Sequence, residues 1–144
     1  MENRPIVIER IFNVPASKVW NAITRKEEMK KWYFDLVEFK PEPGFEFQFS
    51  GGPAPERQYL HLCEIIEVIP EKKLSHTWRY DGYPGNTVVT FELTEKEGKT
   101  LLRLSHQGIE TFPKDNEDLL VENFITGWNS IINYSLRNYL ETPQ

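Results

Sequence analysis

From Phe45 to His106 apolar side chains fall at every second position, whereas from Val121 onward they fall at every third and fourth. The two periods demand two kinds of element, because side chains alternate across a strand and recur about every 3.6 residues around a helix. Phe45, Phe47 and Phe49 alternate with Glu46 and Gln48, and Leu74, His76, Trp78 and Tyr80 alternate with Ser75, Thr77 and Arg79. Val89, Phe91 and Leu93 continue the pattern, as do Leu102, Leu104 and His106. A sheet with one wet face and one aromatic face must have the second one covered. The stripe Val121, Phe124, Ile125, Trp128, Ile131, Ile132, Ser135, Leu136, Tyr139 is the only element large enough to cover it.

Turn and cap residues set the expected boundaries. Arg4 to Asn13 reads as a β-branched strand buried in part on both sides, and Pro15 then opens a short helix, Ala16 to Ile23. Thr24 and Glu27 have the spacing of a capping box for a second short helix carrying Met29 and Trp32. A meander is expected from Asp35 to Gly108, with turns at Pro41 to Gly44, Gly51 to Pro55, Asp81 to Asn86 and Glu95 to Lys99. Tyr59 to Val68 has apolar residues on both parities and resists assignment. A last helix is expected from Asn116 to Glu141, with Asp115 as its N-cap and Pro143 beyond its end. The result is a single α+β domain over residues 1–144: a curved antiparallel sheet of about six to seven strands, two short helices after the first strand, and one long C-terminal helix across the sheet.

Composition narrows the function. A net charge of −5 without a Lys/Arg cluster lacks the electrostatic footprint for nucleic acid or an anionic membrane. A single cysteine, Cys63, rules out an internal disulfide, and no signal-peptide or membrane-span pattern occurs, so a cytoplasmic protein is expected. Aromatic residues make up 13% of the chain, a proportion that suits the lining of a pocket.

Several stretches, taken in order, carry a resemblance. Ile8-Glu-Arg-Ile-Phe-Asn-Val-Pro15, Val19-Trp-Asn-Ala-Ile-Thr24 and Met29-Lys-Lys-Trp32 look like the opening pattern of the activator of Hsp90 ATPase homologue family. Glu67 to Leu74, Thr77-Trp78, Thr90 to Leu93, Thr100 to Gly108 and Gly127-Trp128 are similar to the rest of it. The resemblance implies the helix-grip fold of the SRPBCC or START-like superfamily, with a hydrophobic cavity between sheet and helix. Relatives include chaperone activators, lipid and hormone carriers and aromatic polyketide cyclases, so the fold implies a binding scaffold rather than one chemistry. Phe45 and Cys63 stand where the family often has Gly, which implies added bulk toward the sheet. Eukaryotic activators also carry an N-terminal chaperone-contacting domain for which 144 residues leave no room, so chaperone activation is not expected.

A non-enzymatic protein holding a small apolar or aromatic molecule is therefore expected, as a monomer or homodimer. Phe47, Phe49, Trp78, Tyr80, Phe91, Trp128 and Ile132 would be walls, and His61, His76 and His106 would orient the ligand's polar end. The histidines are equally readable as hydrogen-bonded core residues. The alternative is a cyclase- or dehydratase-like enzyme in which a cavity His or Tyr moves a proton. A third reading is a surface-mediated chaperone partner. No cofactor is expected, since G-x-S-x-G, H-E-x-x-H, P-loop and G-x-G-x-x-G patterns are missing. His61 with Cys63 offers only two metal ligands, fewer than zinc requires.

Overall fold

A computed structural model describes residues 5–36 and 38–141. Arg4 and Pro143, each named above at an element boundary, lie outside the described residues. Six strands form one antiparallel sheet in the order β1-β6-β5-β4-β3-β2. They are β1 (Ile6–Phe12), β2 (Glu46–Ala54), β3 (Arg57–Ile69), β4 (Lys73–Tyr80), β5 (Thr87–Lys96) and β6 (Lys99–Gln107). Two helices, α1 (Ala16–Thr24) and α2 (Lys26–Trp32), follow β1, and the C-terminal helix covers 121–141. The meander thus has five strands and begins at Glu46. The stretch before it is irregular and buries Leu36 and Phe39.

The parity read from the sequence sorts the two faces of the sheet. Phe47, Phe49, Leu74, Trp78, Tyr80, Val89, Phe91, Leu93, Leu102 and Leu104 are all buried on the inner face. β1 differs from the two-sided strand expected: Ile6, Ile8 and Phe12 face inward, whereas Ile11 is 62% exposed, because the helix covers only one side of the sheet. The ambiguity of β3 has a physical cause. Ile65 pairs with His76 and Glu67 with Ser75, so Ile66 is an extra residue that bulges out of the ladder. His61, Cys63 and Ile65 point inward before the bulge, and Val68 packs on the core after it, so no single parity describes the strand.

Three boundary expectations are corrected. Thr24 is the last residue of α1 rather than a cap for α2, and its hydroxyl donates to the Trp20 carbonyl at 2.6 Å. The start of α2 is instead favoured by Glu27 and Glu28 at its positive end, with Lys30 and Lys31 at its negative end. The turn placed at Gly51 to Pro55 is shorter, since β2 runs on to Ala54, which pairs with Arg57. A β-carbon on Gly52 would come within 1.9 Å of the Arg57 carbonyl oxygen, so the irregular end of β2 requires glycine there. Residues 116–120 form no part of the long helix. Asn116 rather than Asp115 does the capping, accepting from the Asp118 amide in a single 3-10 turn, Glu117–Leu119.

The C-terminal helix consists of α3 (Val121–Ser130), a wider π turn (Ile131–Leu136) and α4 (Arg137–Glu141). Its buried side chains are Phe124, Trp128, Ile132, Leu136 and Leu140, a narrower stripe than expected, with Val121 and Ile125 exposed. A row spaced by four precesses around a regular helix, because four residues exceed one turn. The wider π turn reverses that drift and keeps Trp128, Ile132 and Leu136 over the sheet.

Candidate functional site

The interior between the sheet and the C-terminal helix is organised by the bonds of its few polar groups. Trp128 Nε1 donates to His106 Nδ1 at 3.0 Å. An indole N–H can only donate, so Nδ1 is the unprotonated nitrogen and the proton of the neutral ring sits on Nε2. Nε2 lies 2.7 Å from Thr87 Oγ1, which accepts that proton and donates its own to the Trp78 carbonyl at 2.7 Å. The relay joins the helix to β6, β5 and β4, and it leaves His106 with no unused nitrogen. Burial, helped by His76, holds the His106 pKa down to about 3.

His61 and His76 differ from His106 in meeting backbone carbonyls, that of Thr77 at His76 and those of Tyr59 and Phe49 at His61. Nδ1 of His61 lies 3.0 Å from the Tyr59 carbonyl, and Nδ1 of His76 lies 2.8 Å from that of Thr77. A carbonyl only accepts, so both rings are protonated on Nδ1. Burial lowers both pKa values to about 4, offset only in part by the backbone carbonyls against the rings. Trp78 Nε1 donates to Tyr80 Oη at 2.9 Å, and among the described residues the Tyr80 proton has no acceptor. Burial pushes the Tyr80 phenol well up from its ordinary value, as it does the Cys63 thiol.

The segment after α2 enters this space. Tyr33 stacks on Trp32 at 4.9 Å between ring centroids, and Phe34 stacks on Phe49 at 3.9 Å. Tyr33 also approaches Trp128 of the helix at 6.5 Å. Cys63 occupies the inner face as its bulk implied, whereas Phe45 is only half-buried and packs its ring edge-on against Phe39. The deep end is consequently almost full, with a void of about 10 Å³ among Tyr33, Phe47, His76 and Phe91. That is about the space of one water molecule.

Toward the other end the interior opens into a pocket of about 630 Å³, walled by Phe34, His61, Trp78, Tyr80, Phe124 and Trp128. Its mouth carries Arg57, Glu117, Asp118 and Asn123. A polar clasp crosses that mouth. Tyr59 Oη donates to Asp118 Oδ2 at 2.7 Å, Asn116 Nδ2 donates to Tyr59 Oη at 3.2 Å, and Arg57 approaches Asp118 at 3.6 Å. A larger groove, about 790 Å³, lies outside, between β1 and the start of the C-terminal helix. Its aliphatic walls are mixed with charged and amide side chains, among them Glu9, Lys114, Glu122 and Asn129, and it holds none of the buried polar groups described above, so the 630 Å³ pocket is the candidate site.

Of the ten residues singled out in the sequence, His61, Trp78, Tyr80 and Trp128 line this pocket. Phe49 backs it, stacked on His61 at 4.4 Å. Phe47, His76 and Phe91 surround the deep void. His106 and Ile132 are fully buried in the core beyond it. Tyr33, Phe34, Arg57 and Asp118 were not foreseen. The run Trp32-Tyr33-Phe34 directly after a helix was the signal for the first two. No three His, Cys, Asp or Glu side chains converge in a metal-binding group among the described residues. Nor is any described helix long and apolar enough to cross a membrane.

The sheet order, the grip of the helix and this pocket can now be set beside known proteins. The family described as activator of Hsp90 ATPase homolog 1-like protein matches residues 13–141. The chain belongs to this family. Solved structures support the assignment of this activator-homologue domain to the helix-grip fold. Protein MLL2253 from Mesorhizobium loti is 27% identical with a TM-score of 0.75, over 98% of this chain and 99% of that one. Protein BH1534 from Bacillus halodurans is 29% identical with a TM-score of 0.73, over 96% and 97%. CalU16 from Micromonospora echinospora is 25% identical with a TM-score of 0.74, over 96% of this chain and 77% of its own. A comparison with curated proteins finds no match.

Proposed function

We propose that this member of the family is a non-enzymatic binding protein for a small apolar or aromatic molecule, held between the sheet and the C-terminal helix. The observation that carries the reading is the pocket of about 630 Å³ walled by Phe34, His61, Trp78, Tyr80, Phe124 and Trp128. Ligand pockets have volumes of roughly 300 to 1,000 Å³ and mostly apolar walls with a few placed polar groups, which is the composition here. His61 and Tyr80 supply the polar groups, and Trp78 and Trp128, 5.5 Å apart, supply flat walls.

The state of the histidines favours binding over proton transfer. An acid/base catalyst works best with a pKa near the working pH, whereas His61 and His76 are held down to about 4 and His106 to about 3. His106 has in addition no unused nitrogen with which to touch a substrate.

The test is native mass spectrometry of the purified protein beside a thermal-shift screen of apolar, lipid and aromatic compounds, repeated on Trp128→Ala. A compound that binds only the folded chain raises its melting temperature. A retained or stabilising compound whose effect is lost in Trp128→Ala supports the reading. A clean apo mass with no stabilising compound, or stabilisation unchanged in the variant, rejects it.

A further inference from the structure

Beyond the pocket, we propose that β1 and the groove beside it take an extended segment of another protein, which pairs with β1 as an added strand and alternates aliphatic residues with lysine or arginine. β1 is one of the two edges of the sheet. Its register with β6 is unbroken from Ile6 to Phe12, and among the described residues no backbone group of β1 bonds outside that ladder. Half of the peptide groups of an edge strand point away from its neighbour, so β1 offers a row of free donors and acceptors. Edges are ordinarily blunted by bulges, proline or charge. β2, at the far edge, is irregular between Gly51 and Ala54. β1 is regular, and its two charges are taken up within the domain. Arg10 donates to Asn133 of the C-terminal helix at 3.1 Å, and Glu9 faces Arg103 of β6 at 3.9 Å.

The groove of about 790 Å³ follows this edge, and Pro5, Ile6, Val7, Ile8 and Glu9 all line it. Successive side chains of a strand point to opposite faces, so consecutive residues share one groove where it runs along the strand's edge. The opposite wall is Ile109, Leu119, Leu120, Val121 and Ile125. Val7, Val121 and Ile125 are 40%, 41% and 42% exposed. A strand laid beside β1 bonds to its backbone and turns every second side chain onto that aliphatic wall, the two features by which sheet edges recognise peptides.

Charge selects the partner. Glu9, Glu110 and Glu122 border the groove against one ammonium, Lys114, whose Nζ already donates to the Glu110 carbonyl at 3.1 Å. A segment with Lys or Arg between its aliphatic residues meets these carboxylates, and an acidic one is repelled. A second copy of the chain fits less well. Its β1 arrives with Ile6 and Ile8 already covered by its own C-terminal helix, at 6% and 9% exposure, so two helices compete for the space over one strand. Each copy also carries a net charge of −5. The occupant is therefore a basic segment with both faces bare.

Three acetylated and amidated heptapeptides, matched to the seven residues of β1, provide the test. One alternates lysine with valine, one alternates glutamate with valine, and one is the lysine peptide with every amide N-methylated. Titrated into the ¹⁵N-labelled protein, the lysine peptide is expected to shift the amides of residues 6–9 and 119–125 and to leave β2 and β3 unmoved. The glutamate and methylated peptides should bind at least about fivefold more weakly, the scale of one hydrogen bond or ion pair. Ile125→Lys, at an exposed position, should weaken the lysine peptide by a similar factor while the melting temperature stays near the parent's. An absence of shifts along β1, or equal binding of the methylated peptide, overturns the strand pairing. Equal binding of the glutamate peptide overturns the basic partner, and an unchanged affinity in Ile125→Lys overturns the groove. A peptide-free protein that sediments as a dimer, dissociated by Ile125→Lys, would make a second copy the occupant and overturn the proposal as a whole.

Discussion

Trp128 of the C-terminal helix and His106 of β6 are joined by a 3.0 Å bond that only an imidazole with a bare Nδ1 can accept. The helix is thereby fixed to the sheet at one angular position, and the indole presents its remaining face to the pocket. Replacing Trp128 with Phe keeps much of the ring area but leaves His106 Nδ1 without a donor in a dry core. The expected loss is about 1 to 3 kcal/mol, the cost of one orphaned buried polar group. Guanidinium unfolding measures it, and an unchanged midpoint would mean that the bond contributes nothing.

Acid should unfold this protein early. Above about pH 6.5 the three histidines are uncharged in both the folded and the unfolded chain. Below that value the unfolded chain takes up protons that the folded chain refuses until about pH 4 at His61 and His76, and about pH 3 at His106. Stability is therefore complete above about pH 6.5 and falls as the pH drops from there toward 4, by up to about 1.4 kcal/mol per histidine per pH unit. Denaturant unfolding at several pH values between 8 and 5 checks the slope, and a flat profile contradicts it.

Cys63 should behave as an inert core side chain. Only 4% of it is exposed, and burial pushes its thiol well up, so little thiolate is available. A disulfide reagent such as DTNB is expected to label the native protein only as fast as it opens, and the denatured protein at once. Native labelling at the rate of a free thiol would show the inner face of β3 to be accessible.

Asp118 holds the clasp over the pocket mouth by accepting from Tyr59 and facing Arg57. Asp118→Ala should cost only about 1 kcal/mol, because the groups it releases can reach water. Amide exchange should accelerate at residues 57–60 and 116–118 while the remainder of the sheet is unaffected. Exchange identical to the parent would mean that the hairpin tip is held by its backbone alone.

The sequence was most informative where one physical rule acts locally. The period of two in β2, β4, β5 and β6 reports burial of one face, and the structure places those residues inside as their parity requires. β3 resisted the same treatment, because the extra residue Ile66 reverses the parity partway along. The capping-box pattern at Thr24 misled for a related reason. The same hydroxyl can bond backward to Trp20, and the close succession of α1 and α2 decided between the two partners.

The candidate site was legible only as a set of residues sharing a face. Parity states that His76, Trp78, Tyr80 and His106 point the same way, leaves His61 undecided, and is silent on which of them meet open space. That depended on where Tyr33 and Phe34 enter from α2, on the π turn that holds Trp128 over β6, and on the Asp118 clasp with Tyr59, none of which is local in sequence. The sequence alone determined the α+β order, the two faces of the sheet and the family, because periodicity and motif spacing are properties of neighbouring residues. The shape and chemistry of the pocket were decided by the tertiary structure, because a cavity is what remains after distant segments have packed.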